Sequence, residues 1–424
     1  MTSFRFIHTA DIHLDSPLKG LSGYEGPVAD RIRSATRQAF DSLIGEAIDG
    51  QIDFMVIAGD LYDGDWRDYQ TGLFFVRQMG RLAKANIPAF LLYGNHDAES
   101  QITKRLTLPD GVKAFSSRKS ETFALKELGV AIHGQSFRQR DITEDLVPGY
   151  PEPVRGAFNI GVLHTGMGGM GGHLNYAPCA LEELIAKGYD YWALGHVHNG
   201  SVLHKNPYVV FPGNLQGRHI RETGAKGAYL VSVEDGAVSE LTQLQTDVVR
   251  WANIEVNLQG CNRDIDALEK MRQAIERAVS SDANGRLLAC RIRLIGRTAI
   301  HETLIASNEK LLAEAKAAAL GIGDDAAWIE RVIVSTEPEL DPAISSARED
   351  AMGELQRMLT EASSDRELLS QLEGDIGELI RKLPSDVRDQ IDDPCLEAAV
   401  RNDYPALIAE VRSYVNARLL EPED

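Results

Sequence analysis

Phe54-Met55-Val56-Ile57-Ala58 is a run of five apolar residues that stops abruptly at Gly59-Asp60. So short an apolar run, bounded by turn residues, fits a strand buried on both faces, as strands of parallel sheets are. Its end delivers a carboxylate to the edge of the sheet, where open α/β folds keep their clefts. Taken alone, Asp60 is equally well a turn aspartate. The surrounding chain repeats the pattern. Strands are predicted near 4–8, 89–93, 121–125, 130–134, 158–163, 208–211 and 227–233, with helices over 28–50, 68–86 and 180–188. This alternation predicts an α/β layered domain over residues 1–247.

From residue 248 the pattern restarts. Ile254, Val256 and Leu258 alternate, as do Leu288, Cys290, Ile292 and Leu294, and helices fit 262–281 and 301–320. With a last strand at 328–334, a smaller β-α-β-α-β domain is expected over 248–341. It holds no cluster of titratable groups. Residues 342–424 read as a helical tail, with apolar stripes through Ile344, Ala347, Ala351, Leu355 and Met358, through Leu368, Leu369, Leu372, Ile376, Leu379 and Leu383, and through Leu407, Val411 and Val415. Such stripes either pack on the protein or dock a partner helix.

The net charge of −19 argues against a wholly basic nucleic-acid binder. The tail alone carries 9 basic and 19 acidic residues. Any surface for a polyanion must therefore be local or assisted by metal ions. Cys179, Cys261, Cys290 and Cys395 show no CxxC spacing and are expected to be reduced. The opening residues lack the apolar run of a signal peptide, and no apolar segment reaches the ~20 residues that span a bilayer. A cytoplasmic protein with no membrane association is expected.

Five strand-end motifs fall in the first 200 residues: Asp11-x-His13, Gly59-Asp60, Gly94-Asn95-His96-Asp97, His164, and Gly195-His196-x-His198. In extended chain, residues i and i+2 point the same way, so Asp11 with His13 and His196 with His198 are each expected on one face. The mixture of carboxylate, amide and imidazole suits Mn²⁺, Fe²⁺ or Zn²⁺ better than a thiolate site does. Two ions roughly 3.5–4 Å apart need a carboxylate between them, and Asp60 is the candidate. A lone His-x-His is more often incidental; the joint occurrence at strand ends carries the reading. His8, His133, His173, His204, His219 and His301 have no such context.

These motifs resemble those of the calcineurin-like metallophosphoesterases, and within them the DNA repair exonucleases of the SbcD/YhaO type, the nuclease subunits of double-strand-break repair complexes. Thr9-Ala10-Asp11-Ile12-His13-Leu14-Asp15, Gly59-Asp60-Leu61-Tyr62-Asp63 and Phe211-Pro212-Gly213-Asn214-Leu215-Gln216-Gly217-Arg218-His219-Ile220-Arg221-Glu222 are similar to that branch. The resemblance implies a layered metallophosphoesterase β-sandwich flanked by helices, followed by an α+β capping domain. It implies that Asp11, His13 and His198 hold one ion, that Asn95, His164 and His196 hold the other, and that Asp60 bridges them. His96 would protonate the leaving oxygen, while Asp63 and Asp97 would orient their neighbours. A hydroxide held by two metals, Mn²⁺ first among the candidates, would attack a DNA phosphodiester. A homodimer is also implied, as is an SMC-like coiled-coil ATPase partner docked by the tail.

Arg31, Arg33, Arg37, Arg118, Lys119, Arg138, Arg140, Arg218 and Arg221 are available for phosphate contacts, and nothing selects among them. Two other readings stay open. One is a phosphodiesterase for a small or lipid-linked phosphoester, which would not need the domains beyond residue 248. The other is a weakly catalytic DNA-end-binding scaffold, against which the intact motif set argues.

Overall fold

A computed structural model describes residues 3–16, 27–63, 69–99, 107–170, 174–339, 351–383 and 394–420. The chain divides into two units, residues 1–252 with 282–289, and residues 253–281 with 290–424.

The first unit is built on two six-stranded sheets. One has the order β12-β11-β1-β2-β3-β4, from β1 (Phe4–Thr9), β2 (Phe54–Ala58), β3 (Ala89–Leu92), β4 (Val112–Ala114), β11 (Gly227–Glu234) and β12 (Ala237–Gln245). The other has the order β5-β6-β7-β8-β10-β9, from β5 (Glu121–Leu125), β6 (Val130–Gly134), β7 (Phe158–His164), β8 (Tyr191–Gly195), β9 (Ser201–Lys205) and β10 (Tyr208–Phe211). Strands β1 to β4 pair in parallel, as do β6, β7, β8 and β10; β11, β12, β5 and β9 close the edges antiparallel.

Alternation along each strand sorts the core into layers. Phe54, Val56 and Ala58 of β2 join Phe4, Phe6, Phe90, Phe158, Ile160, Val162, Tyr191 and Ala193 between the sheets. Phe6 stacks on Phe54 with ring centroids 5.0 Å apart. Met55 and Ile57 face the other way, onto Phe40, Leu43 and Ala47 of α1 (Pro27–Asp49) and Phe75, Met79 and Leu82 of α2 (Tyr69–Lys84). The outer face of the second sheet, with Leu163, Trp192 and Leu194, packs on Leu184 of α4 (Leu181–Ala186) and on Ile142, Val147 and Tyr150. The short α3 (Asn95–Glu99) opens directly after β3. The result is an α/β β-sandwich flanked by helices, whose parallel strands end together.

The second unit has the three-stranded sheet β13-β14-β15, from β13 (Val249–Asn257), β14 (Leu287–Thr298) and β15 (Ala327–Pro338). Helix α5 (Asp264–Asp282) buries Ala267, Met271, Ala274, Ile275 and Ala278. The helix expected over 301–320 is instead two, α6 (His301–Ala306) and α7 (Asn308–Ile322). Ser307 divides them, its backbone at φ −99° and ψ 22° lying outside the helical range. The tail contributes α8 (Ala351–Ala362), α9 (Arg366–Lys382), α10 (Pro394–Val400) and α11 (Tyr404–Leu420). Asp365 caps α9, accepting from Glu367 N at 2.9 Å and Leu368 N at 3.2 Å. Leu369, Leu372, Ile376 and Ile380 pack on Ala398, Ala399, Tyr404 and Leu407. Leu379, expected within the stripe, is 61% exposed. Ile344 and Ala347 lie outside the described residues. Helix α11 packs against α6. Among the described residues no helix is long and apolar enough to cross a membrane.

Candidate metal centre

Parallel pairing carries the C-terminal ends of β1, β2, β3, β7 and β8 to one place. His164 Nδ1 donates to Ala58 O at the end of β2, at 2.9 Å. Asp11 accepts the main-chain N–H of His196 on both carboxylate oxygens, each at 3.0 Å. Asp60 Oδ1 accepts the N–H of His96 at 3.0 Å. Two groups of side chains result, each with its donor atoms within 4.8 Å of one another: Asp11, His13 and His198, and Asp60, His164 and His196. Asn95 Oδ1 lies 2.9 Å from His164 Nε2, beside the second group. Asp60 Oδ2 is 3.3 Å from His164 Nε2 and 4.0 Å from His13 Nε2, so it faces both groups.

The expectation drawn from extended chain holds for Asp11 and His13, which share one group, and fails for His196 and His198. Asp11, His13, Asp60 and His196 have φ of 49°, 45°, 52° and 98°, all left-handed. A residue twisted out of the β region no longer alternates with its neighbours, so His196 and His198 separate into different groups. Glycines make the room. A Cβ on Gly94 would fall against Asp60 Oδ1 and lie 2.8 Å from His164 Cε1.

The donors fit divalent cations. His164 Nδ1 is tied to Ala58 O, His196 Nε2 to Leu174 O at 2.9 Å, and His198 Nδ1 to Glu222 Oε1 at 2.7 Å. A carbonyl or carboxylate only accepts, so each ring carries a hydrogen there. In neutral His196 and His198 the other nitrogen keeps its lone pair, whereas His164 Nε2 faces Asn95 Oδ1 and Asp60 Oδ2, and although burial lowers its pKa, Asp60 raises it to about 9. Metal-binding histidines are held in this way. His198 Nε2 meets His13 Nε2 at 3.2 Å, while His13 Nδ1 is buried with no hydrogen-bond partner. Burial pushes the Asp11 carboxyl up to about 8, and Asp60 adds to the shift. Burial acts on Asp60 in the same direction, yet His164 and His96 hold it well below the carboxylate range. Buried acceptors crowded in this way call for positive charge.

His96 belongs to neither group. Its ring is 28% exposed, and its Nδ1 lies 3.1 Å from Asp63 Oδ1. Burial would lower its pKa, but Asp60 and Asp63 raise it overall. Asp63 Oδ2 accepts from Ser16 Oγ at 2.6 Å. Asp97 accepts three main-chain N–H groups, Tyr62 at 2.9 Å, Gly94 at 3.0 Å and Leu61 at 3.1 Å, and so staples the β2 loop to the β3 loop.

Of the basic candidates, Arg218 reaches the site, with Nη1 4.0 Å from Asp63 Oδ2. Arg37 pairs with Asp15, Arg33 with Asp30 and Arg138 with Glu144. His8 and His133 are buried and hydrogen-bonded, His8 to Tyr191 and Leu194 and His133 to Thr122 and Asn159. Glu222 and Asn214 escaped the sequence reading as site residues. They lie in an irregular loop with no period to mark them, and only their approach to His198 reveals them.

Residues 4–200 match the family model of calcineurin-like phosphoesterases, and residues 251–337 match that of the middle domain of metallophosphoesterase YhaO. An uncharacterized metallophosphoesterase, YhaO, of Bacillus subtilis is 37% identical over 262 residues, covering 61% of this chain and 64% of its own. The chain thus spans less than two thirds of that relative. A DNA double-strand break repair protein, Mre11, of Sulfurisphaera tokodaii is 24% identical over 284 residues, covering 64% of this chain and 70% of its own. The crystal structure of a dimetal phosphatase from Danio rerio aligns with 58% of this chain and 98% of its own, at 11% identity and a TM-score of 0.37.

Proposed function

Because the chain carries a calcineurin-like metallophosphoesterase domain, we propose that it hydrolyses phosphodiester bonds in DNA with two divalent cations, Mn²⁺ first among them. Asp11, His13 and His198 would hold one, Asn95, His164 and His196 the other, with Asp60 shared. The observation that carries the reading is the meeting of the two ligand groups, with Asp60 facing both. Relatives described as DNA double-strand break repair proteins support DNA as the substrate. Bound there, the cations supply charge to an attacking oxygen and to the phosphoryl oxygens. His96, held through its Nδ1–H by Asp63, would present an imidazolium at the rim of the site and donate its Nε2 proton to the leaving oxygen. Asp97 keeps the two loops that bear Asp60 and Asn95 in register.

Labelled duplex and single-stranded DNA, incubated with Mn²⁺, test this. Wild type should cleave; His96→Ala should bind both ions yet cleave roughly 10²–10⁴-fold more slowly. Asp60→Ala should lose both ions and all cleavage, whereas Asp11→Ala should weaken mainly one ion. Cleavage that survives in Asp60→Ala overturns the shared-ligand arrangement. Hydrolysis of bis-p-nitrophenyl phosphate without DNA cleavage points to a small phosphoester, and DNA binding without cleavage to a scaffold. We also propose, on the family resemblance, a cytoplasmic homodimer whose tail docks an SMC-like ATPase.

A further inference from the structure

Glu222 lies outside every strand-end motif, yet its side chain is 5% exposed. Its Oε1 accepts from His198 Nδ1 at 2.7 Å and from Arg218 Nη2 at 2.8 Å. Its Oε2 accepts from Asn214 Nδ2 at 2.8 Å, from the main-chain N of Arg218 at 2.8 Å and from Arg218 Nε at 3.3 Å. A carboxylate gripped by these donors has one orientation. Asn214 is placed in turn by a second bond, Nδ2 to Gln216 O at 2.9 Å. Arg218 continues toward Asp63, which holds His96. A chain of hydrogen bonds and ion pairs therefore runs from His198 through Glu222, Arg218 and Asp63 to His96.

We propose that Glu222 is a positioning residue that fixes His198 as the Nδ1–H tautomer and keeps its Nε2 turned to Asp11 and His13, with Arg218 as the counter-ion that locks the carboxylate. The physical reason is the donor inventory. An ionised carboxylate only accepts, so His198 Nδ1 supplies the hydrogen of the 2.7 Å contact with Glu222. The guanidinium Nη2 also lies 3.1 Å from that nitrogen, but it is the longer contact and Nη2 donates to Glu222 Oε1 at 2.8 Å. Its Nε2 then keeps the lone pair, 3.2 Å from His13 Nε2. Without the acceptor the ring is free to take the other tautomer or to turn over, and either change withdraws that lone pair. The inference rests on the reading of Asp11, His13 and His198 as one cation group. It assigns Glu222 to that group and not to the one around Asp60.

Calorimetric titration of metal-free protein with Mn²⁺, for wild type, Glu222→Gln and Glu222→Ala, gives the test, with urea unfolding run on each variant. The expected result is a split. One ion binds roughly 10–100-fold more weakly in the variants, and the other stays within about threefold of wild type. Two ions bound as in wild type overturn the proposal, as does equal loss of both in a folded variant. A wild type that binds no Mn²⁺ overturns the cation reading itself. The tautomer is checked separately, and without any variant, by long-range ¹H–¹⁵N spectra of histidine-labelled, metal-free wild type. A His198 carrying its hydrogen on Nδ1 supports the proposal, and one carrying it on Nε2 overturns it.

Discussion

Asp11, His13, Asp60 and His196 all sit on left-handed backbone, which costs a non-glycine residue roughly 1–2 kcal/mol. Four such residues at one site mean that the surrounding strands over-determine the loops, a pattern found where geometry serves function. Gly94 shows how little slack remains. Gly94→Ala would drive its methyl group onto Asp60 Oδ1 and toward His164. The protein should fold, at a cost of about 1–3 kcal/mol, but with reduced metal content by elemental analysis; full occupancy would show that the loop can yield. His8 is a second residue-scale case. Its Nε2 donates to Leu194 O at 3.1 Å and its Nδ1 accepts from Tyr191 at 3.0 Å, so the folded protein holds it neutral. Burial lowers its pKa to about 3. The unfolded chain takes up this proton below about pH 6.5 while the folded chain refuses it, so the stability it confers is complete above 6.5 and drains away as pH falls toward 3. The slope from this one group is at most ~1.4 kcal/mol per pH unit. His8→Gln removes the term, so the wild-type advantage should shrink between pH 7 and pH 5 in urea unfolding. A pH-independent difference would refute it.

At the scale of elements, β2 was legible because its residue types and its end agree. An apolar pentapeptide closed by Gly-Asp fits few other places than the middle of a parallel sheet, and β2 does lie between β1 and β3. Its two faces serve two cores, Phe54 between the sheets and Met55 against the helices. Phe54→Ala should therefore cost ~3–5 kcal/mol and lower the unfolding temperature of the first unit by on the order of 10 °C. Calorimetry checks this, and a shift under ~2 °C would mean that the inter-sheet core refills the cavity. The helix over 301–320 was less legible. Its apolar spacing persists through Ser307, and periodicity does not see that the backbone there leaves the helical region, at φ −99° and ψ 22°. The period-2 argument failed at His196-x-His198, though Asp11 and His13 do meet in one group. Alternation holds only while the chain stays extended, and His196 lies just past the end of β8 with a positive φ.

Over the whole molecule, the two units make separable predictions. Removing residues 342–424 takes away α11, which packs on α6 in the second unit. Mn²⁺ binding and hydrolysis of bis-p-nitrophenyl phosphate, which need only the first unit's groups, should survive. The second unit's unfolding transition should fall, and pull-down of a coiled-coil ATPase should be lost. Loss of metal binding on this truncation would contradict the division. The net charge of −19 makes the same point about the substrate. The proposed DNA substrate, a polyanion, would be drawn to such a chain where cations gather, and the buried carboxylates and imidazoles are where the proposed cations would sit. The sequence by itself determined most strands of the first unit, though not β4, β9 or β12, that five of its motifs place polar residues at strand ends, and which donor types are present, because these follow from local propensity and from apolar spacing. Apolar spacing left open how the donors divide into groups, which the family resemblance implied and the tertiary structure shows, and only the tertiary structure picked Arg218 from the basic candidates and joined Glu222 and Asn214 to the site. Those relations depend on left-handed turns and on contacts between segments distant in the chain, such as Asp11 with His196 and Asp60 with His164. In its own stretch Asp60 is equally well a turn residue, and the other motifs make it the candidate shared carboxylate; the meeting of β1, β2, β7 and β8 is what sets it facing both groups.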